Sequence, residues 1–162
     1  ILQYVVGDYA EGGIVFYVDS TGRHGLVSTL ENINATYEWG CYQIEVEGAD
    51  GTAIGTGYQN TLDIVSSECQ VSSVSGIGII AAQAALDYES MGYNDWFLPT
   101  IDELILLYNN LYSVYYYSQN TYWTSSSSCG NEAKSCFVNF SNGNIGGHNR
   151  DNLEHIIPIR SF

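Results

Sequence analysis

The C-terminal stretch Tyr122–Phe162 constrains this chain most, because it alternates segments that can form a sheet with segments that cannot build a core. YWTSSS (Tyr122–Ser127) and HIIPIRSF (His155–Phe162) read as strands, and CFVNFSNGN (Cys136–Asn144) as a strand running into an Asn-Gly turn. Between them, SCGNEAKS (Ser128–Ser135) and IGGHNRDNL (Ile145–Leu153) carry small, polar and charged side chains in no apolar period, and both read as loops. Stiff frames holding chemically mixed loops are how proteins present binding surfaces. The pattern points to recognition rather than catalysis.

At 162 residues the chain suits one domain with a sizeable core. Residues 1–10 read as a linker or incoming strand, and 11–162 as the ligand-binding domain. Ile1 is not an initiator methionine, so processing, excision or truncation is expected, and any export signal is expected outside this stretch. No run of eighteen apolar residues is present, so membrane insertion is not expected. The 18 acidic residues face only 4 basic ones, a net charge of −14. Long-range repulsion then disfavours nucleic acid, anionic lipid and sulfated polysaccharide as partners. Few charges together with abundant Gly, Ser, Asn and Tyr suit an extracellular β-rich module.

Four cysteines allow three full pairings. Cys41–Cys69 with Cys129–Cys136 is preferred, because each pair brackets a loop-rich stretch; four reduced, buried thiols are the alternative. No close CxxC pair of a zinc or thioredoxin-like site occurs. Pairing implies an oxidising compartment.

Along the chain, GGIVFYVD (Gly12–Asp19) and HGLVSTL (His24–Leu30) read as a hairpin around STGR, apolar on both faces and therefore substantially buried. Glu31–Gln70 shows no regular pattern and reads as a long loop. GIGIIAAQAALDYES (Gly76–Ser90) sets Ile77, Ile80, Ala81, Ala84 and Tyr88 near one helical stripe, with Gly92 as its C-terminal cap. YNDWFLPT (Tyr93–Thr100) reads as a short buried strand. Thr100 and Glu103 then form a T-x-x-E capping box for a helix over Ile101–Asn110, with Leu104, Ile105, Leu107 and Tyr108 toward the core. The expected class is α+β, with two helices, antiparallel strands and long loops.

Several segments in order, GDYAEGGIVFYVDSTGRHGLV (Gly7–Val27), WGCY (Trp39–Tyr42), GTAIGTGYQNT (Gly51–Thr61), GYNDWFLPTIDELILLYNN (Gly92–Asn110), YWTSSS and the closing PIRSF, resemble the C-terminal domain family of collagen-like bacterial adhesins. The resemblance implies a C-type-lectin-like fold, extracellular display at a cell surface or virion fibre, and a homotrimer within a larger fibrous or multidomain protein. Tyr122–Phe162 also resembles the variable region of lectin-fold proteins diversified by retroelements, where template Asn codons are rewritten at adenines. SSCGN (Ser127–Asn131) and GGHNRDN (Gly146–Asn152) occupy the equivalent stretches, whereas Glu132 and Glu154 depart from that codon pattern. The acidic balance departs from members that bind sulfated glycosaminoglycans.

The expected ligand contacts are Cys129, Gly130, Asn131, Gly146, Gly147, His148, Asn149, Arg150, Asp151 and Asn152, joined by Tyr116 from the Tyr115–Tyr117 run, whose consecutive side chains cannot all face one core. Arg150 stands out as a fork donor for a carboxylate or sugar acid. Calcium is the one cofactor with support, through hard oxygen ligands among Asp50, Asp63, Asp151 and Asn152, with Asp151 and Asn152 as the metal-binding pair. Trp39 could stack on sugars, while Trp96 and Trp123 read as core. His24 reads as a surface residue after a hairpin turn. No G-x-S-x-G elbow or H-E-x-x-H helix is present, and GTGYQN (Gly55–Asn60) lacks the strand of a dinucleotide fingerprint and reads as a glycine loop. Cys129 and Cys136 invite comparison with the redox cysteines of formylglycine-generating enzymes, but that branch's Arg- and Trp-rich segments are missing. The reading is a non-enzymatic receptor-binding or adhesion module for a host or cell-surface glycan or protein. A fibre-capping or trimerisation domain is the alternative.

Overall fold

The computed structural model describes residues 3–72, 78–131 and 133–162. The fold is α+β, with two antiparallel sheets and three helices among the described residues. Strands β1 (Tyr9–Ala10), β2 (Gly13–Val18), β3 (Gly25–Ser28) and β7 (Ile159–Ser161) form one sheet in the order β1-β2-β3-β7. The last strand therefore closes onto the N-terminal hairpin, with Val27 opposite Arg160. The second sheet is β4 (Thr121–Trp123), β5 (Lys134–Asn139) and β6 (Asn144–Asn149). Helices α1 (Gly57–Ser66), α2 (Ala81–Leu86) and α3 (Ile101–Leu111) complete the domain.

The hairpin is buried on both faces, as its two-sided apolar pattern predicts. Ile14, Phe16 and Leu26 join α3's Leu104, Leu107 and Leu111 in one core cluster. Val15 and Val27 meet Trp96 in a smaller one. A register shift between Val15 and Tyr17 marks a bulge at Phe16, whose carbonyl accepts from the Asn110 side chain. The capping box is formed: Thr100 Oγ1 accepts from the Glu103 N–H while the Glu103 carboxylate accepts from the Thr100 N–H. Glu103 is fully buried and also accepts from the Gly55 N–H, so one side chain starts α3 and ties down the approach to α1. Burial pushes its carboxyl above the usual carboxylate range.

Three helices are present among the described residues rather than two, and α1 lies inside the stretch read as a loop. Its inward stripe is Gly57, Asn60, Thr61 and Ile64, at helical spacing but mostly polar, which hides the apolar period. Those polar groups are satisfied within the interior. Asn60 donates to Gly51 O and accepts from the Gly51 N–H, while Thr61 Oγ1 accepts from the Leu98 N–H. Only Gly55 of the presumed glycine loop is left-handed, at φ +94°; residues 57–60 are helical.

The helix expected over Gly76–Ser90 is only Ala81–Leu86. Its stripe residue Ile77 lies outside the described residues, and Ile80 is the N-cap. Tyr88 has left the helix to meet Trp96 edge-on at 5.2 Å and Thr29 Oγ1 at 2.5 Å. Gly92 accordingly serves the turn between Ser90 and Tyr93, not a helix end. Tyr93–Thr100 is extended but not a regular strand; it touches the sheet at one bridge, Phe97 to Ile159. Within HIIPIRSF only Ile159–Ser161 is regular strand, since Pro158 has no N–H to give to a ladder.

The largest correction concerns IGGHNRDNL. Its first residues form β6, paired with β5 without interruption from Asn139↔Asn144 to Lys134↔Asn149. Backbone pairing does not require apolar side chains, so the absence of a period did not mark a loop. Tyr117 and Tyr115 are also turned in: Tyr117 is buried and bonds to Ser28, and Tyr115 OH donates to Leu30 O. Tyr116 alone of the three is exposed, at 77%.

Candidate functional site

Two disulfides, Cys41–Cys69 and Cys129–Cys136, brace the loops at the N-terminal end of β5, and no described cysteine is free. Cys41, Val46 and Ala49 point inward and anchor the first loop, leaving Tyr42, Gln43, Ile44, Glu45 and Glu47 exposed. That loop holds Cys41, Gln43 and Ala49 at φ of 54°, 59° and 52°, the left-handed region that L side chains rarely adopt. Such backbone persists only where its surroundings enforce it. Here the anchors are the disulfide and the bond from the Ser127 N–H to Ala49 O.

Between this loop and the Ser127–Asn131 segment lies an open depression of about 240 Å³, lined by Glu45, Val46, Ser127, Ser128, Gly130, Asn131 and Arg150. Arg150 forms its floor and is 3% exposed. Its Nε donates to Ser135 Oγ at 2.9 Å, and Nη1 donates to Ile44 O at 2.8 Å and Cys41 O at 3.2 Å. Nη2 reaches Ser127 O at 3.4 Å, and the guanidinium lies 4.4 Å from the Trp39 ring. The expectation of an outward fork donor is therefore corrected. Arg150 points inward and ties the two braced loops together, its guanidinium donating to Cys41 and Ile44 carbonyls on one and the Ser127 carbonyl on the other.

The two glycines of β6 are also committed to packing. A Cβ on Gly146 would sit 2.5 Å from the Phe137 ring, and one on Gly147 would sit 2.6 Å from Cys129 O. His148, next along the strand, stacks on Phe137 at 4.1 Å and bonds through Nδ1 to the Glu154 carboxylate. Burial raises the Glu154 carboxyl above its ordinary range, while the contact with His148 opposes the shift. Asn149 and Asn152 are exposed, with the Asn152 N–H donating to Asn149 O. Asp151 is half-buried, and its Oδ1 is buried without a hydrogen-bond partner.

The structure thus brings Gly130, Asn131 and Arg150 to one depression and sets Cys129 against Gly147. Tyr116 is not among its lining residues; its carbonyl accepts from Asn32. Trp39, Trp96 and Trp123 are all fully buried, so Trp39 is core rather than a sugar platform. Asp63 is engaged by the Ala49 N–H and the Gln59 side chain. No group of three or more His, Cys, Asp or Glu placed to hold a metal ion occurs among the described residues. Sequence reasoning did not single out the Tyr42–Glu47 wall. Its only signals were Cys41 and the glycines around it.

The fold and these braced loops define a disulfide-stabilised α+β domain with a loop-built surface cleft. Residues 33–160 match the model of the Lcl C-terminal domain, and the chain belongs to that family. No curated protein matches the chain. Among the described residues no helix is long and apolar enough to cross a membrane, and the two disulfides are those of an oxidising compartment.

Proposed function

We propose that this domain is an extracellular receptor-binding or adhesion module, displayed on a surface protein or fibre, that recognises a host or cell-surface glycan or protein. The observation that carries the reading is the depression between two loops held by disulfides and cross-tied by Arg150. Loops ordered before binding lose less entropy on binding, and Ser127, Ser128 and Asn131 offer hydroxyl and amide groups beside one carboxylate, Glu45. Family membership and the resemblance to collagen-like adhesins support display at a surface or fibre tip. Trimeric display would multiply a weak single-site affinity. Within the stretch that resembles retroelement-diversified regions, freedom to vary belongs to exposed positions such as Ser128, Asn149 and Asn152. It does not belong to Gly146, Gly147 or Arg150, which the interior uses.

The test is binding of the purified domain to host cells and a glycan array, in calcium and in chelator, beside a Glu45→Ala/Ser128→Ala/Asn131→Ala variant whose fold and oligomeric state are checked. Binding that the triple variant loses supports the receptor site. Binding that chelator abolishes adds calcium as a ligand bridge. Undiminished binding by the variant overturns the cleft, and loss of the oligomer without loss of attachment supports a fibre-capping role.

A further inference from the structure

The outer edge of β6 is unpaired. Its orientation follows from the ladder: the Arg150 N–H donates to Ala133 O one step beyond Lys134↔Asn149, so even-numbered residues turn their backbone groups toward β5. Ile145, Gly147 and Asn149 therefore direct theirs away from the sheet. Asn149 O is taken by the Asn152 N–H. The N–H groups of all three and the carbonyls of Ile145 and Gly147 meet no partner among the described residues.

The other sheet edges are short or covered. β1 has two residues and β7 three. The outer side of β4 is occupied by His155, which bonds to both Thr121 and Trp123 backbones. β6 is six residues long, carries no Lys, Arg, Asp, Glu or Pro, and shows no bulge. Natural edges usually carry one of those protections. Its two central side-chain positions are glycine because Phe137 covers one face and the Cys129 loop the other. What β6 presents is main chain.

We propose that this edge docks an extended, positively charged polypeptide segment of a partner protein, which adds to the β4-β5-β6 sheet as a fourth strand. Main-chain bonds to Ile145, Gly147 and Asn149 give the pairing, and the chain's net charge of −14 selects a basic segment. The same charge sets a second copy of this chain against itself. The surface does not depend on the cleft proposed above.

The probe is a synthetic peptide of alternating threonine and valine flanked by lysines, titrated into the isotope-labelled domain and followed by amide shifts and hydrogen exchange. Exchange should slow at Ile145, Gly147 and Asn149 while the ladder amides of Gly146 and His148 are unchanged. Ile145→Pro removes one outward N–H without touching the ladder, and should weaken binding about tenfold. Continued protection of Gly146 and His148 in that variant shows that the sheet is intact. A twin peptide N-methylated at alternate residues should not bind, and a glutamate-flanked twin should bind at least about tenfold more weakly. The proposal is overturned by equal binding of either twin, by shifts confined to the Tyr42–Glu47 and Ser127–Asn131 cleft, or by no shift at millimolar peptide. Concentration-dependent protection of β6 without peptide would overturn it in favour of self-pairing.

Discussion

Arg150 shows how one residue changes meaning once its surroundings are known. On a loop in an acidic chain it suggests a ligand contact; buried over Trp39 with donors on Ser135, Cys41 and Ile44, it is a cross-tie. Arg150→Lys keeps the charge but loses the fork, and should destabilise the domain by about 2–4 kcal/mol in urea denaturation. Gly147→Ala should cost about 1–3 kcal/mol, because the new methyl meets a backbone carbonyl that cannot swing aside. Asp95 carries a pH signature. Arg160 grips it through Nε at 2.6 Å and Nη2 at 3.1 Å and holds its carboxyl below the usual range. A depressed carboxylate stabilises the fold above its unfolded pKa, and that contribution is lost as pH falls through the folded value. The stability difference between wild type and Asp95→Asn should therefore be present at neutral pH and vanish in acid, as urea midpoints across a pH series would show. Because Asp95 is half exposed, the effect should be small and sensitive to salt.

At the scale of elements, α3 and α1 are stabilised in opposite ways. α3 announces itself by its capping box and by Leu104, Leu107 and Leu111 on one stripe. α1 buries Gly57, Asn60 and Thr61 with a single aliphatic, Ile64, and depends on hydrogen bonds to Gly51 and Leu98. Asn60→Ala strands both Gly51 backbone groups and should cost about 1–3 kcal/mol, more than its small apolar area suggests. Thr100→Ala should cost about 1 kcal/mol through the lost cap. Thermal denaturation of both variants would rank them in that order. β6 is the counterpart among strands: its ladder to β5 is complete although its sequence has no strand-like alternation.

For the molecule as a whole, β7 pairs with β3 and so brings the C-terminus beside the N-terminal hairpin, while the braced loops gather at the second sheet. Replacing Cys41 and Cys69 by Ala opens a span of 28 residues and should cost about 3.6 kcal/mol, against about 2.4 kcal/mol for the span of 7 between Cys129 and Cys136. Calorimetry on the two double variants would separate them. The sequence by itself determined the hairpin, the Thr100–Glu103 box with its helix, the preferred cysteine pairing and the α+β class. Those signals are local, carried by neighbouring residues through periodicity, turn chemistry and capping. It also marked the stretch around Gly130 and Asn131, since polar residues between stiff strands are visible without a fold. Only the tertiary structure decided that α1 is a helix with a polar inner face, that Gly146–Asn149 is strand rather than loop, and that Arg150 points inward. β6 rests on a backbone ladder to β5 that needs no apolar alternation. α1 and Arg150 depend on partners far along the chain, Ser125 for Asn60 and Cys41 for Arg150, which leave no trace in local spacing. The second wall of the cleft stayed hidden for the same reason: Glu45 and Asn131 become neighbours only after two disulfides and a buried guanidinium have folded their loops together.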